Sequence, residues 1–177
     1  RLLAADAPIG AELDSLSDVV SFGVAPSFIV AWFLSHLGLG WWSMAAFILA
    51  AFAAIRLAKF NIDTRQTSSF IGLPVPAVGL FIASLPFLVF NIGQDSMLYR
   101  FIMNPYFLFA MVAVFSWLMI SEVPFFSFKI HNLKFKENIL RYFVVIFAVV
   151  AVIILKLAAL PFVFLFYILL SVICFKG

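Results

Sequence analysis

Two carboxylates four residues apart, Asp14 and Asp18, stand in the stretch "GAELDSLSDVVSF" (residues 10–22) of a chain that otherwise avoids charge. On an α-helix, positions i and i+4 share a face one turn apart. The two side chains therefore project side by side and repel each other unless a cation lies between them. Oxygen ligands with no imidazole or thiolate nearby suit a hard divalent ion such as magnesium, manganese or calcium. Magnesium completes its shell with water and substrate phosphates, so the pair points toward a phosphorylated substrate. The competing reading is plain helix chemistry, in which acidic groups at a helix start complement the positive end of its dipole. Against that reading, ionisable groups within membrane segments are costly and usually functional. Residues 19–55, directly after Asp18, contain no Asp, Glu, Lys or Arg.

The elements that must position this pair are apolar helices. The 177 residues are 66% hydrophobic and 11% charged, with 24 phenylalanines, and the mean hydropathy is +1.21. Soluble domains carry about 25% charged residues, so the composition points to a bilayer. A membrane helix needs roughly 20 apolar residues. The charge-free run 19–55 is too long for one crossing, and the glycines of "SHLGLG" (35–40) divide it. Helices are expected near 12–35 and 41–60, and further apolar stretches cover 74–92, 99–120, 139–158 and 160–175. The expected fold is an all-α integral membrane protein of about six transmembrane helices in a single domain, 1–177. The last two helices would form a tight hairpin turned by Pro161. The single cysteine, Cys174, cannot form an internal disulfide, and no Cys/His spacing suggests zinc.

Basic residues set the orientation, because they concentrate on the cytoplasmic side. With six spans, nine of the 11 Lys and Arg residues fall on the side of Arg1, including Arg56, Lys59, Arg65, Lys129, Lys134, Lys136, Arg141 and Lys176. Arg100 and Lys156 fall on the other. Asp14 and Asp18 are therefore expected to face the cytoplasm, together with the basic loop "RLAKFNIDTRQ" (56–66). Trp41 and Trp42 suit an interfacial aromatic anchor. Pro74 and Pro76 suit a helix start, and Pro26 with Gly23 suits a kink. His36 and His131 stand alone at span ends. The loop "FKIHNLKFKEN" (128–138) would face anionic lipid. Arg56, Lys59 and Arg65 serve as topology determinants or bind a carboxylate or phosphate, for which Arg offers bidentate contacts. Asn61 and Thr67 would add polar contacts.

The wider spacing is more specific. Arg1 is followed by eight residues, Gly10, three residues, Asp14, three residues and Asp18. This resembles the second half of the CDP-alcohol phosphatidyltransferase signature, D-x-x-D-G-x-x-A-R-x8-G-x3-D-x3-D. The stretches "AELDSLSDVVSFGVAPSF" and "RLAKFNIDTRQTSSFIGLPVPA" look like the bacterial membrane-bound phosphatidylserine synthases of that family, with Phe70 to Ala77 as the distinguishing part. The resemblance implies a CDP-alcohol phosphotransferase-like bundle in a bacterial inner membrane. It implies two divalent ions, Mg2+ or Mn2+, and CDP-diacylglycerol and L-serine as substrates. A homodimer is implied too, and no nucleic-acid partner is expected. By the same resemblance Asp14 bridges both metals, while Asp18 ligates one and accepts the proton. Arg1 contacts the CDP-diacylglycerol diphosphate, and Gly10 lies where the nucleotide approaches the backbone. Ala7 stands where some relatives place a serine on the lipid substrate. The family's first two aspartates would precede Arg1. The chain is therefore expected to be a fragment without its N-terminal helix and the first half of the motif.

The chemistry agrees with the residues. Moving a phosphatidyl group from a diphosphate to an alcohol needs neutralised phosphate charge and an activated hydroxyl, which metals and a neighbouring carboxylate can supply. Another acceptor (glycerol phosphate, inositol phosphate or choline) is an alternative. A magnesium-dependent membrane prenyltransferase would resemble N-x-x-x-D-x-x-x-D, but Gly10 occupies the Asn position. A transporter or membrane scaffold has no need of the spacing.

Overall fold

The computed structural model describes residues 8–62, 70–125 and 135–174. Helix α1 (Pro8–Asp18) runs without a break into a π-helical segment, Val19–Val24, and then into α2 (Ala25–His36). Pro26 stands in the first turn of α2 and has no N–H for the carbonyl one turn earlier. In place of a broken helix, the backbone before it widens by a π turn, the irregularity that often marks functional positions within helices.

Gly38 and Gly40, both at positive φ (82° and 51°), turn the chain after α2, as expected from their freedom from a Cβ. A 3-10 segment, Gly40–Phe47, leads into α3 (Ile48–Ile62). Trp41 in this segment is 91% exposed. The π segment is the hinge of the packing, touching both α3 and α4 (Val75–Asn91). Gly23 is buried there, and a Cβ on it would lie 3.1 Å from the Ala53 Cβ. A Cβ on Gly79 of α4 would lie 2.9 Å from the Phe22 Cα. Small residues thus let three helices approach at the turn that follows Asp18, the usual device where apolar lipid supplies no hydrophobic drive for helix association.

Before α4, strand β1 (Phe70–Ile71) pairs antiparallel with β2 (Pro124–Phe125). Gly72 follows at φ 80° and donates its N–H to the Val123 carbonyl at 2.9 Å, while the Leu73 N–H reaches the Leu118 carbonyl at 3.0 Å. Pro74 is the N-cap of α4, with Pro76 in its first turn, as the "GLPVPA" stretch suggested.

Two expectations need correction. The stretch 99–120 is not one helix: α5 (Met97–Ile102) ends, and α6 (Pro105–Ile120) begins after Asn104. A residue before proline is driven out of the α region. Asn104 is extended, and its Oδ1 accepts the Tyr106 N–H at 2.9 Å as an N-cap. The final hairpin, α7 (Phe135–Leu155) against α8 (Leu160–Cys174), exists but is turned at Lys156 rather than Pro161. Lys156 takes φ 53° and opens a 3-10 turn, Lys156–Ala159, whereas Pro161 lies inside the first turn of α8.

The core lies between α2, α3, α4, α6 and α8, around Phe33, Leu34, Leu49, Val78, Ile82 and Leu108. Phe81, Phe115 and Phe164 join α4, α6 and α8, with Phe81 and Phe115 edge to face at 5.2 Å. The exterior is also apolar, with Phe28, Trp32, Ile55, Leu80, Phe87, Trp117 and Ile146 exposed, as a lipid-facing surface requires. Glu12–His36 and Gly40–Ile62 are long and apolar enough to cross a bilayer; Val75–Asn91, Pro105–Ile120, Tyr142–Leu155 and Leu160–Ser171 are shorter apolar helices. At one end of the bundle, Leu88, Ile102 and Ala158 form a small cluster that gathers the segments bearing Arg100 and Lys156.

Candidate functional site

Asp14 and Asp18 both lie within the regular turns of α1, which keep them one turn apart on one face; the π segment starts at the next residue, Val19. Asp14 is exposed and Asp18 half-buried. Neither falls in the first turn of α1, which contains no acidic residue. Complementing the helix dipole, an effect confined to the terminal turn, therefore does not account for them. Gly10 sits one turn before Asp14, exposed, and a Cβ built on it would meet nothing within 4 Å among the described residues.

The end of α3 meets α1 at this site. The Asn61 amide Nδ2 donates to the Ser15 Oγ at 2.9 Å. One and a half turns back along α3, Arg56 is only 5% exposed, and its guanidinium carbon lies 5.1 Å from the centre of the Phe60 ring. An arginine over an aromatic face at this distance gains a cation–π attraction. Burying a guanidinium costs free energy, and this contact offsets part of that cost. Lys59 is half-buried on the same helix. The structure therefore brings Asn61, in the last turn of α3, against Ser15 of the helix that carries Asp14 and Asp18, and places Arg56 and Lys59 on the adjoining turns of α3. Arg1, Ala7, Arg65 and Thr67 lie outside the described residues, as do His131 and most of the 128–138 loop. His36 stacks on Trp32, with ring centres 5.4 Å apart.

Two participants escaped the sequence reading. Ser15 stands in the gap between the aspartates, and its partner is 46 residues away, a separation that no helical periodicity reveals. Phe60 carries a readable signal, since aromatic and arginine at i and i+4 share a helical face.

The donor set fits a hard divalent cation as part of a larger site. It offers two carboxylates on one face, and among the described residues no cluster of three or more His, Cys, Asp or Glu side chains gathers to complete it. The remaining oxygens would come from water, substrate phosphates or other residues, the pattern usual for magnesium.

The family model for CDP-alcohol phosphatidyltransferase matches residues 1–125. A Bacillus subtilis protein named CDP-diacylglycerol–serine O-phosphatidyltransferase is 33% identical, over 78% of this chain and 70% of its own length. A Mycobacterium leprae protein of the same name is 30% identical over 98% of this chain and 57% of its own. A Helicobacter pylori protein of that name is 45% identical over 46% of this chain and 35% of its own. The chain thus spans between about a third and 70% of the length of these curated relatives. Bilayer-length helices, an apolar exterior and this kinship mark an integral membrane protein. From its motif spacing and the match over residues 1–125, the chain belongs to the CDP-alcohol phosphatidyltransferase family.

Proposed function

We propose that the protein transfers the phosphatidyl group of CDP-diacylglycerol to the hydroxyl of L-serine, giving phosphatidylserine and CMP. The observation that carries this reading is the Asp14–Asp18 face of α1 within the Arg1–Gly10–Asp14–Asp18 spacing. The names of the relatives favour serine as the acceptor.

Divalent cations, Mg2+ or Mn2+, held by Asp14 and Asp18 together with the family motif's upstream aspartates, would neutralise the diphosphate. Asp18 takes the proton of the serine hydroxyl, a role that fits its half-buried place at the end of α1. The serine oxygen forms a bond to the lipid-side phosphorus. The bond from that phosphorus to the bridging oxygen breaks, and CMP leaves with the electron pair. Gly10, with open space beside it, lets the nucleotide come close to the backbone. Arg1 holds the diphosphate, and Ala7 lines the lipid substrate through its backbone. Arg56, Lys59 and Arg65 supply positive charge for the serine carboxylate or the phosphates, and arginine's planar fork suits both.

The six apolar helical stretches, with the segments bearing Arg100 and Lys156 gathered in one cluster, support a six-span arrangement. The charge asymmetry puts the Asp14–Asp18 end in the cytoplasm, with a bacterial inner membrane as the setting and a homodimer as the assembly. The test is an acceptor assay on protein carrying the whole motif. CDP-diacylglycerol is supplied with radiolabelled serine, glycerol phosphate, inositol phosphate or choline in turn. Labelled phosphatidylserine is the expected product; label entering lipid only from another acceptor refutes the serine reading.

A further inference from the structure

Among the described residues, helix α1 packs sideways against α3 and continues into the π turn. Leu13, Leu16 and Val20 are exposed along one flank, Glu12 and Ser17 are exposed as well, and the π turn begins at Val19, just beyond Asp18. A π turn is a local irregularity of the helix ladder, of a kind often found at functional positions. Yet a carboxylate pair can share a cation only if its face is aimed correctly, so something must fix the rotation of α1.

We infer that Ser15 and Asn61 form a positioning pair that sets the rotation of α1 and thereby the aim of Asp14 and Asp18. At about 100° per residue, Ser15 lies about 60° around the helix from Asp18 and about 100° from Asp14. A restraint at Ser15 therefore acts on the flank next to the carboxylates, whose face lies opposite Leu16. The restraint itself is the 2.9 Å bond from the Asn61 amide, borne by the last turn of α3. Ser17, by contrast, turns its hydroxyl onto its own helix, donating to the Leu13 carbonyl at 2.8 Å. The pair touches no reacting atom; it acts through the aspartates. This inference rests on the proposed function only in taking Asp14 and Asp18 as cation ligands.

The test reads cation binding directly, without donor or acceptor. Protein carrying the whole motif is titrated with Mn2+ and followed by electron paramagnetic resonance. Asn61→Ala and Ser15→Ala are each expected to weaken Mn2+ binding about two- to tenfold, the span of one hydrogen bond. The double variant should be no weaker than either single, because residues acting as a pair are not additive. Ser15→Thr, which keeps the hydroxyl, should bind as the unsubstituted protein does, and the similarly shaped Ser15→Val should not. The KM for serine should be unchanged in the three single Ser15 variants. Unaltered Mn2+ affinity in the alanine variants, additive losses, or a raised serine KM at unchanged Mn2+ affinity would each overturn the inference. Normal Mn2+ behaviour in a protein that uses another acceptor overturns the serine reading alone. An unsubstituted protein that binds no Mn2+ overturns both.

Discussion

Gly10→Ala separates the folding role of a residue from its place beside a ligand. Gly10 lies inside α1, is not among the glycines at positive φ, and has nothing within 4 Å of where a Cβ would stand. Among the described residues the substitution meets no obstacle. Alanine also favours a helix over glycine by up to about 1 kcal/mol. The thermal midpoint in detergent should therefore stay level or rise by up to about 4 °C, taking about 2–4 °C per kcal/mol for a chain of this size. With the nucleotide drawn against the backbone, the same methyl group intrudes into a filled space. Overpacking costs about 1–3 kcal/mol, which raises the KM for CDP-diacylglycerol roughly 5- to 150-fold. The assay is CDP-diacylglycerol-dependent serine transfer with the donor varied, alongside a melting curve. A fall of several degrees in the midpoint would refute the open surroundings of Gly10. An unchanged donor KM would refute the close approach of the nucleotide.

Gly72→Ala should act on the fold instead. Its φ of 80° and a built Cβ only 2.5 Å from the Met119 carbonyl oxygen combine a left-handed backbone cost of about 1–2 kcal/mol with overpacking of about 1–3 kcal/mol. A midpoint lowered by roughly 5–15 °C is expected, and an unshifted melting curve would count against the β1–β2 junction described above. Chelation with EDTA should abolish transfer, and added Mg2+ or Mn2+ should restore it. Activity that survives exhaustive chelation removes the metal role of Asp14 and Asp18.

Much of the site was legible because helical spacing alone places Asp14 and Asp18 on one face. The composition likewise announced apolar helices. Hydropathy is blind to hydrogen-bond geometry, however. It joined 99–120 into one span although Pro105 denies the helix an N–H and Asn104 supplies a cap. It assigned the last turn to Pro161, whereas the chain reverses at Lys156 in a left-handed conformation, which a lysine gives no sign of adopting. The π turn after Asp18 is hidden in the same way: Gly23 and Pro26 signalled an irregularity there but not its form. The bond between Ser15 and Asn61 joins distant parts of the chain and depends on how α1 and α3 pack.

Asp18→Asn in protein carrying the whole motif bears most directly on the proposed chemistry. The amide preserves the shape of the side chain at this half-buried position but cannot accept the serine proton. Loss of a general base of this kind costs about 100- to 10,000-fold in turnover. The measurement is the rate of labelled serine incorporation into lipid, with melting recorded on the same sample. A drop of that size at an unchanged thermal midpoint is the expected result, and near-normal turnover in a folded variant contradicts it.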